Sequence, residues 1–125
     1  MTIHKVEAAE VQTFTSTSSV AAYIKTTAIA RNINSDLALF IADKESQFVA
    51  TSTGDMNLVC PQGVNKGKPV RARGVFQITE CYHPEVSDAC AYNVACATDI
   101  ALPMIRDNCL KEFSTCKLYK KRVAP

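Results

Sequence analysis

The amino-acid sequence predicts one α+β domain that is predominantly α, contains a small irregular or β insertion, and is stapled by disulfides. Three observations lead to this prediction. Apolar residues recur at three- and four-residue steps before residue 46 and after residue 93. Glycine and proline interrupt the segment between them. Six cysteines lie from residue 60 onward.

The composition suits a buried core and argues against several functional classes. With 125 residues, of which 47% are hydrophobic, the chain can bury one core. The formal net charge of +2 is too small to predict a nucleic-acid partner. No apolar run approaches the roughly 18–20 residues that a membrane-spanning helix needs. The basic residues near the C-terminus are interpreted as a solvated tail: Lys117, Lys120, Lys121 and Arg122.

The first 18 residues differ in character from the rest of the chain. They are polar, rich in Thr and Ser, and without an apolar period. We expect residues 1–18 to be a flexible lead-in or the end of a linker, and residues 19–125 to be a single, monomeric domain of a larger protein. The segment after Met1 lacks the apolar region of a signal peptide, which favours a mature fragment with an added start Met.

The first predicted helix begins at Ser19, with Ser18 or Ser19 as its N-cap. Apolar residues spaced three and four apart then form one face of a helix, which the polar segment Asn32–Asn34 ends. The positions on that face are Val20, Tyr23, Ile24 and Ala28.

A second helix is predicted from Ser35, its expected cap, to Glu45 or Ser46. Asp36 lies in the first turn, where a negative charge interacts favourably with the helix dipole. The apolar stripe buries this helix against the core and therefore fixes where its C-terminal end points. That stripe consists of Leu37, Phe40 and Ile41.

The rest of the chain contains loops and a further helix. Between Thr51 and Val75, glycines and prolines separate short segments, which predicts loops and a small β-hairpin. Residues 94–113 are again helical in composition, and Asn93 is placed to cap them. Pro103 lies inside this segment, where we expect it to kink or split the helix.

The cysteines predict up to three disulfides and an oxidising environment outside the cytoplasm. The sequence does not choose among the many possible pairings, although proximity favours 90–96 and 109–116, which leaves 60–81. The alternative is a zinc site, but the chain has no C-x-x-C motif and its two histidines lie far apart, so no metal is expected. The six residues are Cys60, Cys81, Cys90, Cys96, Cys109 and Cys116.

Two motifs give the most specific signal. Residues 39–48 form an apolar segment that ends in Glu-Ser, with Phe48 two positions later. Residues 71–78 read Arg-Ala-Arg-Gly-Val-Phe-Gln-Ile. Together they resemble the signature of lytic transglycosylases and goose-type lysozymes, which is a helix ending in Glu-Ser-x-Phe followed by Gly-Ala-x-Gly-x-x-Gln-Ile. The resemblance extends from Leu37 to Ile105, and it departs from the pattern at Arg71, where the family has glycine.

This resemblance implies a lysozyme-like fold and cleavage of the β-1,4 bond between N-acetylmuramic acid and N-acetylglucosamine in peptidoglycan, without a cofactor. By position, Glu45 matches the catalytic glutamate, Ser46 the serine beside it, and Phe48 the aromatic beneath the site. The residues that the resemblance assigns to glycan binding are Ser52, Gln77 and Asn93.

The residues around Glu45 agree with a role as an acid. Burial against Ile41 and Phe48 would disfavour the charged carboxylate, raise its pKa, and keep a proton available for a leaving oxygen. Tyr82, in a Tyr-His-Pro-Glu segment, offers an aromatic face against which a sugar ring can pack. We therefore identify Glu45 as the catalytic candidate and Tyr82 as a further glycan-binding candidate.

Three mechanisms remain open from the sequence. In a lytic transglycosylase one glutamate, here Glu45, protonates the leaving oxygen and then takes a proton from the 6-hydroxyl as a 1,6-anhydro sugar closes. Most glycosidases use two carboxylates, and Asp55 is the best candidate for a base that activates water in a muramidase. The alternative of another class is a glycan-binding module that grips the strand without cutting it.

Overall fold

The structure is a computed structural model that describes residue 14 and residues 16–124. Its helices and strands confirm the α+β, predominantly α class, and most of the predicted lead-in, residues 1–18, lies outside the described residues. In chain order the elements are α1 (Thr17–Ala30), α2 (Ser35–Ser46), β1 (Thr53–Gly54), β2 (Ala72–Arg73), β3 (Ile78–Thr79), α3 (Asp88–Ala91), α4 (Val94–Glu112) and α5 (Ser114–Val123).

Helix α1 begins earlier than its sequence suggested. Its N-cap is Ser16, whose hydroxyl accepts a hydrogen bond from the backbone N–H of Ser19 at 3.1 Å, while the Ser16 N–H donates to the Ser19 hydroxyl at 3.4 Å. This reciprocal capping box needs a polar side chain three residues after the cap. The expected cap at Ser18 or Ser19 was wrong because Ala21 and Ala22 cannot return the bond.

Helix α2 is also capped one residue earlier than expected. The side chain of Asn34, not of Ser35, accepts the hydrogen bond from the Leu37 N–H at 3.0 Å. With Asn34 as cap, the preceding Ile33 and the fourth helical residue, Ala38, are both buried in the core, as in a hydrophobic staple. If Ser35 were the cap, polar Asn34 would occupy the position before the cap, where a hydrophobic staple has an apolar residue. The predicted end at Ser46 is confirmed.

The segment between α2 and α3 contains the predicted small β structure. Its three two-residue strands form one antiparallel sheet in the order β1-β2-β3, with Thr53 opposite Arg73 and Arg73 opposite Ile78. The sheet packs beside the helices through Val75, Phe76 and Ile78, which are buried in the same core as α1, α2 and α4.

Helix α4 passes through Pro103 without ending, so the expected split at that residue was wrong. The non-helical residue is Asn108, with φ −142° and ψ 39°. Proline removes one backbone hydrogen bond from a helix interior, but Leu102 and Ile105 on either side of it are buried in the core. Their burial holds the helix together across Pro103 and leaves the break to the exposed Asn108.

Three disulfides cross-link the chain, in the pairs that proximity favoured. Such bonds persist in oxidising environments outside the cytoplasm. One joins the loop between β1 and β2 to the segment after β3, one joins α3 to α4, and one joins α4 to α5. The pairs are Cys60–Cys81, Cys90–Cys96 and Cys109–Cys116.

A buried arginine holds the loop that follows β3. Arg73 is 1% exposed. Its guanidinium donates to the carbonyl oxygens of Ile78 at 3.0 Å and Val86 at 2.8 Å, and to the carboxylate of Asp88 at 3.0 Å. A buried charge needs such partners to offset its lost hydration. Arg73 therefore fixes the course of the chain from β3 to α3.

Gly74 gives the first testable prediction. Its φ is +80°, and a Cβ at this position would collide with the carbonyl oxygen of Ala91 at the end of α3. Gly67 has a similar φ of +87° but open space around it. In urea unfolding, we expect Gly67→Ala to cost about 1 kcal/mol from backbone strain alone. We expect Gly74→Ala to cost at least about 3 kcal/mol, since it adds overpacking to that strain.

Equal destabilisation by the two substitutions would show that the approach of Gly74 to Ala91 contributes nothing beyond its backbone angle.

Candidate active site

The end of α2 positions Glu45. The helix ends at Ser46, and the next two residues, Gln47 and Phe48, have left-handed φ angles of 55° and 64° that turn the chain sharply away. The Ser46 hydroxyl donates to the carbonyl oxygen of Val75 at 2.8 Å. The helix end is thereby tied to the segment that follows β2, next to Glu45.

The carboxyl group of Glu45 is half-buried and accepts a hydrogen bond from α5. Thr115, in the first turn of α5, donates its hydroxyl to Oε2 at 3.1 Å. Burial raises the pKa of Glu45 above its ordinary value, and the negative charge of Asp55 raises it further. The Thr115 hydrogen bond acts in the opposite sense and lowers that pKa.

A cleft of about 800 Å³ opens beside this carboxyl group. Asp55 and Gln77 line it from the β structure, and Met104 and Ser114 line it from α4 and α5. Glu45 is not one of the residues that line the cleft, but two of its neighbours relate it to the cleft. Its hydrogen-bond partner Thr115 follows Ser114 directly, and the charge that acts on it belongs to Asp55. The cleft thus lies near a half-buried acid.

Gln77 lies in the cleft wall in an unusual backbone conformation, with φ 53°. Its amide nitrogen donates to the carbonyl oxygens of Ser52 at 3.2 Å and Gly74 at 3.0 Å. The amide oxygen of Gln77 faces Gly54, and a Cβ added at Gly54 would lie 2.5 Å from this oxygen. Gly54 therefore makes room for the Gln77 side chain, and the fixed amide presents its oxygen as an acceptor.

The remaining predicted binding residues are placed differently from one another. Tyr82 lines the cleft and is exposed, as a sugar-stacking residue would be. Ser52 contributes its backbone carbonyl, which accepts from Gln77 and from the Gly74 N–H at 2.8 Å. Asn93 does not line the cleft, because its side chain caps α4 by accepting from the Cys96 N–H at 2.8 Å. Its role in glycan binding stays a prediction that this placement does not favour.

Two contacts at the site join residues that are too far apart in the sequence to be predicted from it. Thr115 lies seventy positions from Glu45 in the sequence, and no local pattern connects the two. In the cleft wall, His83 Nε2 lies 2.9 Å from the Glu112 carboxylate, and Nδ1 lies 3.3 Å from that of Glu85. The contact with Glu112 joins the loop after β3 to the end of α4.

Neither a metal site nor a membrane span is found in the described part of the chain. No three His, Cys, Asp or Glu side chains between residues 16 and 124 are grouped to hold a metal ion. No helix in the same range combines the length and apolar character needed to cross a bilayer.

Comparisons with protein-family models, curated proteins and solved structures find no match to this chain. The resemblance to lytic transglycosylases and goose-type lysozymes therefore stays a prediction.

The groups around Glu45 predict opposite effects on its titration. Thr115→Val removes the hydrogen bond that favours the carboxylate, so we expect the pKa of Glu45 to rise. Asp55→Asn removes a negative charge, so we expect the same pKa to fall. Carbon-13 NMR of side-chain carboxyl groups measures both changes, and the spectrum of Glu45→Gln identifies the resonance. Shifts in the same direction, or none, would contradict the described environment of Glu45.

Proposed function

We propose that this protein cleaves the β-1,4 bond between N-acetylmuramic acid and N-acetylglucosamine in peptidoglycan, as a lytic transglycosylase with Glu45 as its acid and base. The observation that carries the proposal is the half-buried carboxyl group of Glu45 beside the cleft, with its pKa raised by burial. Such a group keeps its proton at a higher pH than a solvated glutamate, and so remains a proton donor.

The proposed reaction needs no second carboxylate. Glu45 gives its proton to the glycosidic oxygen as the bond to C1 of the muramic acid breaks. The N-acetyl group of that sugar stabilises the cationic intermediate. The Glu45 carboxylate then removes the proton of the 6-hydroxyl, whose oxygen attacks C1 and closes a 1,6-anhydro ring. Glu45 ends the cycle protonated, so the site is ready for the next bond.

Thr115 helps Glu45 to fill both roles. Its hydroxyl stabilises the carboxylate that forms after the first proton transfer, whereas burial favours the protonated acid that starts it. The two effects oppose each other, which moderates the rise in pKa. A glutamate that must both donate and accept a proton in one cycle works best when neither form is strongly favoured.

The backbone around the second motif supports the same proposal. Arg71 occupies the position where the family pattern has glycine, and its φ of 51° is a conformation that glycine adopts without strain. Gly74 matches the second glycine of the pattern, and no side chain fits there. Gln77 completes the motif in the cleft wall. Arg71 thus has a backbone conformation that a glycine at this position could also adopt.

We also propose where the protein acts and how it folds in comparison with others. The three disulfides suit a protein that works outside the cytoplasm, in the periplasm, the cell envelope or the surrounding medium. A helical body with a cleft against a small β segment is the arrangement of a lysozyme-like fold. Peptidoglycan lies outside the cytoplasm, so location and proposed substrate agree.

A muramidase is the second candidate, and the placement of Asp55 favours it. Asp55 is exposed, lines the cleft, and lies close enough for its charge to raise the pKa of Glu45. A second carboxyl group near the catalytic acid is the arrangement that most glycosidases use. In that case Asp55 activates the attacking water, and the product has a reducing end.

We expect Glu45→Gln to lower the rate of muropeptide release from purified peptidoglycan by about 100-fold or more, since it removes the acid and base. Asp43→Asn is the matched control on the same helix, and its rate should stay near that of the wild type. The raised pKa means that the ionised Glu45 weakens the fold above that pKa. Glu45→Gln should therefore unfold at the same temperature as the wild type or a higher one.

Mass spectrometry of the released fragments distinguishes the two reactions. Anhydro products, lighter by one water molecule than hydrolysis products, support a lytic transglycosylase, and we expect Asp55→Asn to keep forming them. Reducing-end products that disappear in Asp55→Asn would establish the muramidase instead. A folded protein that releases nothing from walls of several types would contradict both and favour a glycan-binding module.

A further inference from the structure

Helix α5 has a strongly uneven charge distribution. This helix contains four basic residues and no acidic residue. Since these four contribute +4 to a chain whose formal net charge is +2, the other residues together carry −2. All four side chains are exposed: Lys117, Lys120, Lys121 and Arg122.

Within the described chain, no carboxylate lies close enough to neutralise these cations. Of the ion pairs within 4.0 Å among residues 16–124, none involves a residue of α5. Arg122 instead lies over the ring of Phe40, 5.6 Å from its centroid, and Lys44 of α2 lies at the same distance. Lys44 thereby extends the charge onto α2. The α5 basic surface is defined as Lys44, Lys117, Lys120, Lys121 and Arg122.

We propose that the α5 basic surface binds a flexible polyanion with repeating phosphate groups, of the kind formed by a poly(alcohol phosphate) wall polymer. The interaction is electrostatic, because each of these cations gains a phosphate partner and releases the counterions that the polymer carried. The choice of a wall polymer rests on the proposed function, whereas the binding surface and its ligand differ from the cleft and the glycan.

The positions of the cations favour a flexible chain over a flat membrane. Successive residues of an α-helix are turned by about 100°. Lys120 and Arg122 are therefore roughly 200° apart, on opposite flanks of α5, with Lys117 and Lys121 between them. A bilayer would contact one side of this arrangement, whereas a polymer can follow it around the helix. The inward side, with Cys116 buried, cannot insert into lipid.

The same surface is poorly suited to nucleic acid. Binding of single strands combines basic side chains with open aromatic faces on which bases stack. The aromatic ring of this surface, Phe40, is half-buried, contacts Tyr119 edge-on, and already has Lys44 and Arg122 against it. Charge without a stacking platform fits a polymer that offers phosphates alone.

The surface begins next to the cleft. Ser114, the first residue of α5, lines the cleft, and Thr115 is hydrogen-bonded to Glu45. A polyanion bound along α5 would therefore run beside the cleft without entering it. Binding there would hold the protein on a phosphate-rich wall while the cleft remains open to another strand.

Fluorescence anisotropy with labelled poly(glycerol phosphate) tests the proposal. The test variant is Lys117→Gln/Lys120→Gln/Lys121→Gln, and the matched control is Lys25→Gln/Lys66→Gln/Lys68→Gln. Both remove three exposed lysines, so the two variants have the same net charge. Glutamine is as good a helix former as lysine, so α5 should fold, and circular dichroism verifies it. A further arm offers vesicles of phosphatidylglycerol at equal phosphate concentration.

We expect the wild type and the control to bind the polymer, and the α5 variant to bind about tenfold or more weakly at low salt. The slope of log affinity against log salt should fall by about 2 in the α5 variant, at roughly 0.7 for each phosphate that the variant no longer binds. Equal weakening in both triple variants would overturn the proposal in favour of net charge. Absence of polymer binding, or binding to vesicles alone, would overturn it as well.

Discussion

The hydrogen bond from the Ser46 hydroxyl to the carbonyl oxygen of Val75 is the contact on which the candidate site depends. It joins the last residue of α2 to the turn that carries Gly74 and Gln77. Glu45 is the residue before Ser46, and Gln77, in the cleft wall, lies two residues after Val75. Two motifs that are distant in the sequence are thereby held at one edge of the cleft.

Other contacts keep that turn in place. Gly74 packs directly against the end of α3, and buried Arg73 binds the loop after β3 through carbonyl oxygens and Asp88. The Cys60–Cys81 disulfide joins the two sides of the long insertion. The strands are only two residues long and would be unstable alone. The rigidity of the cleft wall therefore comes from these side-chain and covalent contacts more than from the sheet.

The site keeps an interaction that weakens the fold. A carboxyl group with a pKa raised by burial destabilises the folded chain once it is ionised, because the hydration removed on folding is not fully replaced. Thr115 offsets part of this effect, and Asp55 adds to it. Conflict between local stability and chemical use is expected at functional sites. At Glu45, burial and the charge of Asp55 disfavour the ionised form, whereas the Thr115 hydrogen bond favours it.

The sequence was informative wherever the determining interactions are local. Helix periods, the glycine- and proline-rich insertion and the short cysteine spacings depend on near neighbours, and they predicted the fold class and the disulfides. The cap of α4, Asn93, was predicted, but those of α1 and α2 were missed by one to three residues. Several adjacent side chains can cap there, and buried partners such as Ile33 decide among them.

Contacts between residues far apart in the sequence could not be predicted from it. Pro103 looked like a helix break, but buried neighbours hold the helix through it. The Thr115 hydrogen bond to Glu45 joins α5 to α2, and the His83–Glu112 bridge joins a loop to α4. A motif placed Glu45 at the end of a helix, but only the folded chain supplies the groups that set its pKa.

In the proposed mechanism, glycan cleavage begins only when the half-buried Glu45 is protonated. The most direct test is the pH dependence of muropeptide release by the wild type and Thr115→Val. In the wild type, release should fall as pH rises through the pKa of Glu45. In Thr115→Val that alkaline decline should move to higher pH, because the carboxylate no longer accepts its hydrogen bond. An alkaline decline at the same pH in both proteins would contradict the requirement for a protonated Glu45.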